Sequence, residues 1–319
     1  MIKVALGIDI GGTNTVFGCI DPQGNCLMEG SIPTQKHDRI EDYLDELFEA
    51  IELGLQNPAN DLKIIGIGIG APNASYYSGT IEKAANLPWK GSIPLAEMVR
   101  KRLDVPVVIT NDANAAAMGE KVFGAAKGMN NFMVITLGTG LGSGIVVNGE
   151  LLYGHDGFAG EVGHMIVRKS GRECGCGRKG CLETYVSATG VKRTVYKLLA
   201  RHLGASELRD IPFSQLTAKM VAEAAGRGDL VANETFSYTA KMLGEVLANV
   251  VAVTSPEAIF LFGGLTKAGD ILFEPVRETL ESQLLDIYKG KISVLPSGIV
   301  DNAAVLGAAA LVWNSKNNR

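Results

Sequence analysis

Residues 131–152 read Asn131-Phe-Met-Val-Ile-Thr-Leu-Gly-Thr-Gly-Leu-Gly-Ser-Gly-Ile-Val-Val-Asn-Gly-Glu-Leu-Leu152. Apolar runs separated by a Gly/Thr turn and an Asn-Gly turn predict strand, turn, strand, turn, strand. The start of the chain repeats the pattern. Val4 to Ile10 predicts a strand, Gly11-Gly12-Thr13-Asn14-Thr15 a turn, and Val16 to Ile20 a second strand. Asp21 to Asn25 predicts another turn, with a third strand from Cys26. Gly138-Thr139-Gly140 thus occupies the place of Gly11-Gly12-Thr13. Glycines at such a tip let backbone N–H groups approach an anion, and the hydroxyls of Thr13 and Thr15 add donors. Two copies of a phosphate-type hairpin, one per domain, predict two lobes closing on a phosphate chain.

The rest of the chain predicts further α/β structure. Residues 38–56 place Ile40, Tyr43, Leu44, Leu47 and Ile51 at helical spacing, with acids on the other face. Residues 62–70 and 105–110 predict buried strands. Gly66-x-Gly68-x-x-Ala71 loosely fits a dinucleotide fingerprint but lies inside its strand, where that motif does not work. Glu82 to Trp89 predicts a loop with an amide, Asn86, and an aromatic, Trp89, that either faces a sugar or anchors the turn. Asn111-Asp112 ends the second of these strands and opens a helix over 113–122. A carboxylate there suits a general base, and either residue also suits a helix cap. Residues 187–250 predict mainly helix, Ala258 to Phe262 a strand stopped by Gly263-Gly264, and Asp301 to Trp313 a last helix.

A second stretch carries metal chemistry. His164, Cys174, Cys176 and Cys181 offer an imidazole and three thiolates, a complete tetrahedral shell for structural Zn²⁺. Arg178 and Lys179 would offset thiolate charge. Glu161 and Glu183 flank the cluster, so two carboxylates and an imidazole on one pinned loop could grip a polyol. At 319 residues the chain suits two domains, and its net charge of -4 disfavours nucleic-acid or anionic-membrane partners. The charge-free run from Gly128 to Gly149 is too rich in glycine for a membrane span. The start, Met1-Ile2-Lys3 with Asp9 soon after, predicts no signal peptide and a cytoplasmic protein.

Taken together, Asp9-Ile-Gly-Gly-Thr-Asn-Thr15, Glu82-x-x-x-Asn86-Leu-Pro-Trp89, Asn111-Asp112-Ala-Asn114, Leu137-Gly-Thr-Gly140, Glu161-x-Gly-His164 and Cys174-x-Cys-Gly-x-x-Gly-Cys-x-Glu183 resemble the ROK family of sugar kinases and sugar-responsive repressors. The nearest resemblance is to its bacterial glucokinases and fructokinases. It implies a two-lobed, actin-like (ribonuclease H-like) ATPase fold of the α/β class with a cleft between the domains. Residues 1–115 plus 300–319 would form the small lobe, and 116–299 the large lobe with the zinc site. By position, Asp112 resembles the catalytic base, and Asn86, Asn111, Asp112, Glu161, His164 and Glu183 the sugar ligands. Gly11, Gly12, Thr13, Gly138 and Thr139 match phosphate loops, Asp9 an organiser of Mg²⁺ and phosphate, and Gly263 and Gly264 an adenosine motif. The implied function is ATP-dependent phosphorylation of a hexose, glucose first, by a homodimer in carbohydrate metabolism. The alternatives are another hexose (fructose, mannose, allose or N-acetylmannosamine) or a non-catalytic sugar sensor. Two departures stand out: Leu265 where the family often has a third glycine, and Ala71-Pro72-Asn73 where it often has Pro-Gly.

Overall fold

The computed structural model describes residues 1–56, 61–299 and 301–317; Val300, Asn318 and Arg319, which belong to the range assigned above to the small lobe, lie outside them. The first hairpin forms as its pattern predicts. Strands β1 (Ile2–Ile10) and β2 (Asn14–Ile20) pair antiparallel, and β3 (Cys26–Pro33) returns beside β2. The Asp21 carboxylate shapes the second turn by accepting from the N–H groups of Gln23 (2.9 Å) and Asn25 (2.8 Å). Helix α1 (Ile40–Leu55) leads to β4 (Leu62–Gly70), parallel to β1. A small flap of β5 (Ala74–Ser75), β6 (Thr80–Glu82) and β7 (Ser92–Ile93) follows, then α2 (Leu95–Arg100) and β8 (Val107–Thr110), parallel to β4.

Helix α3 (Asp112–Val122) crosses to a second sheet, which begins with β9 (Phe132–Leu137), β10 (Leu141–Val147) and β11 (Glu150–Leu151). Asn148 and Gly149 turn the last pair with φ of 52° and 82°, the two positive values a tight hairpin needs. Helices α4 (Ala188–Leu199), α5 (Ala218–Gly226) and α6 (Leu230–Thr254) precede β12 (Ala258–Phe262). Helix α7 (Asp270–Gln283), β13 (Ser293–Pro296) and α8 (Ala303–Asn317) complete the chain. The sheet orders are β3-β2-β1-β4-β8 and β11-β10-β9-β12-β13. Both therefore run third, second, first, fourth, fifth, with three antiparallel strands followed by two parallel ones. The duplication read from the turns extends to the topology. The charge-free run is β9 and β10, and no described helix is long and apolar enough to cross a membrane.

Apolar periodicity becomes burial. Helix α1 buries Ile40, Tyr43, Leu44, Leu47, Phe48 and Ile51 and turns most of its acids to solvent. A larger core joins β9, β10 and β12 to α4, α5, α6 and α7. Helix α8 comes back to lie on the first sheet at very short range. A Cβ on Gly68 would stand 1.8 Å from the carbonyl oxygen of Ala308. The glycines inside β4 thus admit a helix backbone, which accounts for the dinucleotide-like pattern. Helices α3 and α8 also share a cluster with the second sheet, in which Ala117, Met118, Ala310 and Leu311 meet Phe132, Val134 and Phe260.

Gly68→Val is expected to lower the unfolding free energy by about 3 kcal/mol or more, the upper range for overpacking, because backbone blocks the added atoms. The measurement is the urea midpoint, and an unchanged midpoint would contradict this packing.

Candidate active site

The carboxyl ends of β1, β8 and β9 open on one cavity of about 690 Å³, a volume suited to a small ligand or two. Asp9, both hairpin tips, Asn86, Asn111, Asp112, Glu161, Glu183 and Gly263 line it. The two tips close alike. Gly11 N–H donates to the Asn14 carbonyl at 3.0 Å, and Gly138 N–H to the Gly140 carbonyl at 3.0 Å. Those two N–H groups are spent on the turns, which leaves Gly12, Thr13 and Thr139 at the tips that line the cavity. The expectation for Thr15 is corrected. It is fully buried beneath α1, with its hydroxyl bonded to Thr34 (2.9 Å) and Tyr43 (2.7 Å).

The two readings of Asn111-Asp112 separate. Asn111 is the cap: its side-chain oxygen accepts from Asn114 N–H at 2.7 Å. Its amide nitrogen stays available for a ligand. Asp112 accepts from Ala113 N–H at 2.8 Å and otherwise presents its carboxylate to the cavity. The residue remains open to solvent through the cavity, but the protein mass around the cleft partly desolvates the carboxylate and raises its pKa against the pull of the Ala113 N–H. Burial, with help from the Asp112 charge, pushes Asp9 up to about 7. The start of α3 is pressed onto β10. A Cβ on Gly144 would lie 2.4 Å from the Ala113 carbonyl oxygen. Asp112 is therefore set at a fixed place relative to the second hairpin.

His164, Cys174, Cys176 and Cys181 bring one ligand atom each to within 4.8 Å of one another. Cys176 and Cys181 sulfurs are 3.7 Å apart, as are Cys174 Sγ and His164 Nδ1. Two sulfurs bound to zinc at ~2.3 Å in a tetrahedron would be about 3.8 Å apart, whereas a disulfide is about 2.05 Å. The four side chains therefore fit a closed zinc site and not a disulfide. Burial raises the Cys176 thiol, but the backbone N–H and guanidinium of Arg178 outweigh it and bring it down to about 6. Lys179 does not share that task, since it pairs with Glu173 at 3.1 Å. His164 turns its other nitrogen, Nε2, toward Glu161 Oε2 at 4.0 Å but does not itself line the cavity. Glu161 is raised by burial and by Asp112 and Glu183, against the attraction of His164. Glu183 is partly committed: one oxygen accepts from Leu141 N–H at 3.0 Å, tying the zinc loop to the second hairpin.

Several residues acquire roles that spacing alone does not reveal. Trp89 is buried, lies 4.5 Å from Tyr43 ring to ring and donates to the His37 carbonyl, so it anchors its turn. Asn73 lines the cavity at φ 51° and donates its amide to the Glu82 carbonyl at 2.9 Å. Asn and Gly are the residues that tolerate this left-handed conformation, so Asn73 meets the backbone need of the family's glycine. Leu265 is 2 % exposed, its side chain packed in the core, while Gly263 lines the cavity and Gly264 does not. Ser143 was missed. Its hydroxyl donates to the Gly160 carbonyl and accepts from Val162 N–H at 3.1 Å, bracketing Glu161. The signal was a lone hydroxyl on the inward face of an apolar strand.

Residues 5–315 match the ROK family. The chain belongs to that family. This ROK chain is 36% identical to a glucokinase of Halalkalibacterium halodurans, over 98% of its own length and 96% of the relative's. It is 31% identical to a xylose repressor of Caldicellulosiruptor bescii, of which it covers 77%. Among solved structures, a ROK family glucokinase from Streptomyces griseus in complex with glucose and AMPPNP superposes with a TM-score of 0.79 at 33% identity, over 97% and 98% of the two chains. The duplicated sheets are accordingly the two domains of an actin-like ATPase fold.

Cys181→Ala removes a buried ligand of this ROK cluster, and Cys176→Ala an exposed one. Both are expected to lose zinc by elemental analysis and to weaken glucose binding about 10–100-fold by calorimetry. Full glucose affinity in a zinc-free Cys176→Ala protein, which opens no cavity, would contradict a role for zinc in pinning this loop.

Proposed function

We propose that this ROK chain is an ATP-dependent hexose kinase that converts glucose to glucose 6-phosphate. The observation that carries the reading is the carboxylate of Asp112, which faces the same cavity as both hairpin tips and Glu161. The relatives named glucokinase, and the bound glucose and AMPPNP of the Streptomyces griseus structure, support the same reaction.

Phosphoryl transfer asks for positioning and charge neutralisation more than covalent help. Asn86, the free amide of Asn111, Glu161 and Glu183 hold the sugar hydroxyls, with His164 behind Glu161. Asp112 takes the proton from the attacking hydroxyl, a contribution typically worth about 10²–10⁴-fold. Gly12, Thr13 and Thr139 receive the ATP phosphates, with Gly11 and Gly138 closing the turns that present them, and Gly263, backed by Gly264, meets the nucleoside. Asp9 would hold the Mg²⁺ that accompanies ATP, and that ion would supply countercharge. Zinc would supply shape to the sugar loop and no reactive group. The lobes are read as 1–115 with 300–319, and 116–299. Three thiols gathered for a metal, and a demand for ATP, fit a reducing cytoplasm, and the reaction is read as a step of glycolysis. The homodimer is checked by sedimentation. A panel of hexoses with ATP and Mg²⁺, scored by ADP formed, tests the substrate. Fructose, mannose, allose or N-acetylmannosamine outrunning glucose would reassign it, and binding without ADP release would indicate a sugar sensor.

Asp112→Asn is expected to lower kcat by at least about 10²-fold while glucose still binds. Because burial raises the Asp112 pKa, and a base works only when ionised, wild-type kcat/KM should fall with decreasing pH from above the ordinary carboxylate range. Wild-type turnover in the variant would remove Asp112 from the mechanism.

A further inference from the structure

Gln35 lies in the short 3₁₀ turn Thr34–Lys36 that follows β3. It belongs to none of the motifs above. Its amide nitrogen donates to two carbonyls at once, those of Gly12 (2.5 Å) and Asn86 (2.9 Å). Gly12 sits at the first phosphate-type hairpin, and Asn86 in the loop assigned to the sugar. These segments already touch: a Cβ on Gly12 would stand 3.3 Å from both the side-chain nitrogen and the carbonyl oxygen of Asn86.

The consequence follows from peptide geometry. A peptide group is planar and trans, so its C=O and the next N–H point in opposite directions. Holding the Gly12 carbonyl therefore aims the N–H of Thr13. Holding the Asn86 carbonyl aims the N–H of Leu87 and steadies the backbone that carries the Asn86 amide. The turn beneath is rigid. Thr34 N–H donates to the Thr13 carbonyl at 2.9 Å, and the Thr34 hydroxyl bonds the buried Thr15, which bonds Tyr43. Gln35 itself is exposed, and its amide is spent on the two loops.

We infer that Gln35 is a positioning residue that couples the hexose loop to the nucleotide loop, so that filling either half of the cleft preorganises the other. The inference rests on the kinase reading above. It predicts that saturating glucose lowers the KM for ATP, and ATP the KM for glucose, through this bridge.

The test compares wild type, Gln35→Ala and Gln35→Glu, with KM for each substrate measured at low and saturating levels of the other. Gln35 is exposed, so truncation leaves no cavity and all three proteins should melt at the same temperature. Losing two hydrogen bonds, each worth a few-fold, should lower kcat/KM by about tenfold in Gln35→Ala and abolish the mutual dependence of the KM values. Gln35→Glu keeps the length but faces two carbonyls with a carboxylate, and should be no better than alanine. Wild-type kcat/KM in Gln35→Ala, unchanged coupling in it, or no coupling in the wild type would overturn the inference. So would a loss explained by a lowered melting temperature with coupling intact. A wild type that forms no ADP with any hexose would overturn the kinase reading and this inference with it.

Discussion

The near contact between the first turn of α3 and β10 is the constraint on which the site depends. The Ala113 carbonyl lies where a side chain on Gly144 would be. Because of that approach, the helix opened by Asp112 belongs to both sheets: its N-terminus continues β8, and its flank packs on β9 and β10. Any larger residue in the strand would lift the carboxylate away from the second hairpin. The placement has an electrostatic cost. Asp9 is raised by burial and by the Asp112 charge, and Asp112 by desolvation in the cleft. Raised carboxyls gathered in one cleft are what functional sites commonly show.

The loop that carries His164 and the three cysteines solves a different problem. Glu161 and Glu183 lie on segments with little regular structure, short 3₁₀ turns at Val162–His164 and Leu182–Thr184. Side chains on such segments would wander. Four converging ligands tie the two turns together, Ser143 clamps the backbone on either side of Glu161, and Glu183 reaches back to Leu141 N–H. The two cavity-lining carboxylates are thereby referenced to the strand pair that carries the second Gly/Thr tip.

Much of this was legible in the sequence, for identifiable reasons. A Gly/Thr turn between alternating apolar runs is local, so both hairpins, the Asn148-Gly149 turn and the amphipathic α1 could be read directly. The metal set was legible because ligand type and spacing are themselves the chemistry. What was hidden depends on contacts between distant segments. Thr15 looks like Thr13 until α1 buries it. Trp89 could have faced a sugar until Tyr43 claimed it. The glycines of β4 resemble a nucleotide motif until α8 is laid across them. Asn73 and Leu265, which depart from the family pattern, raise doubts that only φ and burial answer: one adopts the left-handed backbone a glycine would, and the other points into the core.

A crystal structure of the protein with glucose and AMPPNP bound would test the central claim most directly. The account predicts a sugar hydroxyl within about 3.2 Å of an Asp112 carboxylate oxygen, the reach of a general base. That hydroxyl should point at a terminal phosphate held between the tips at Gly12–Thr13 and Gly138–Thr139. Glucose seated away from Asp112, or phosphates bound clear of both tips, would contradict it.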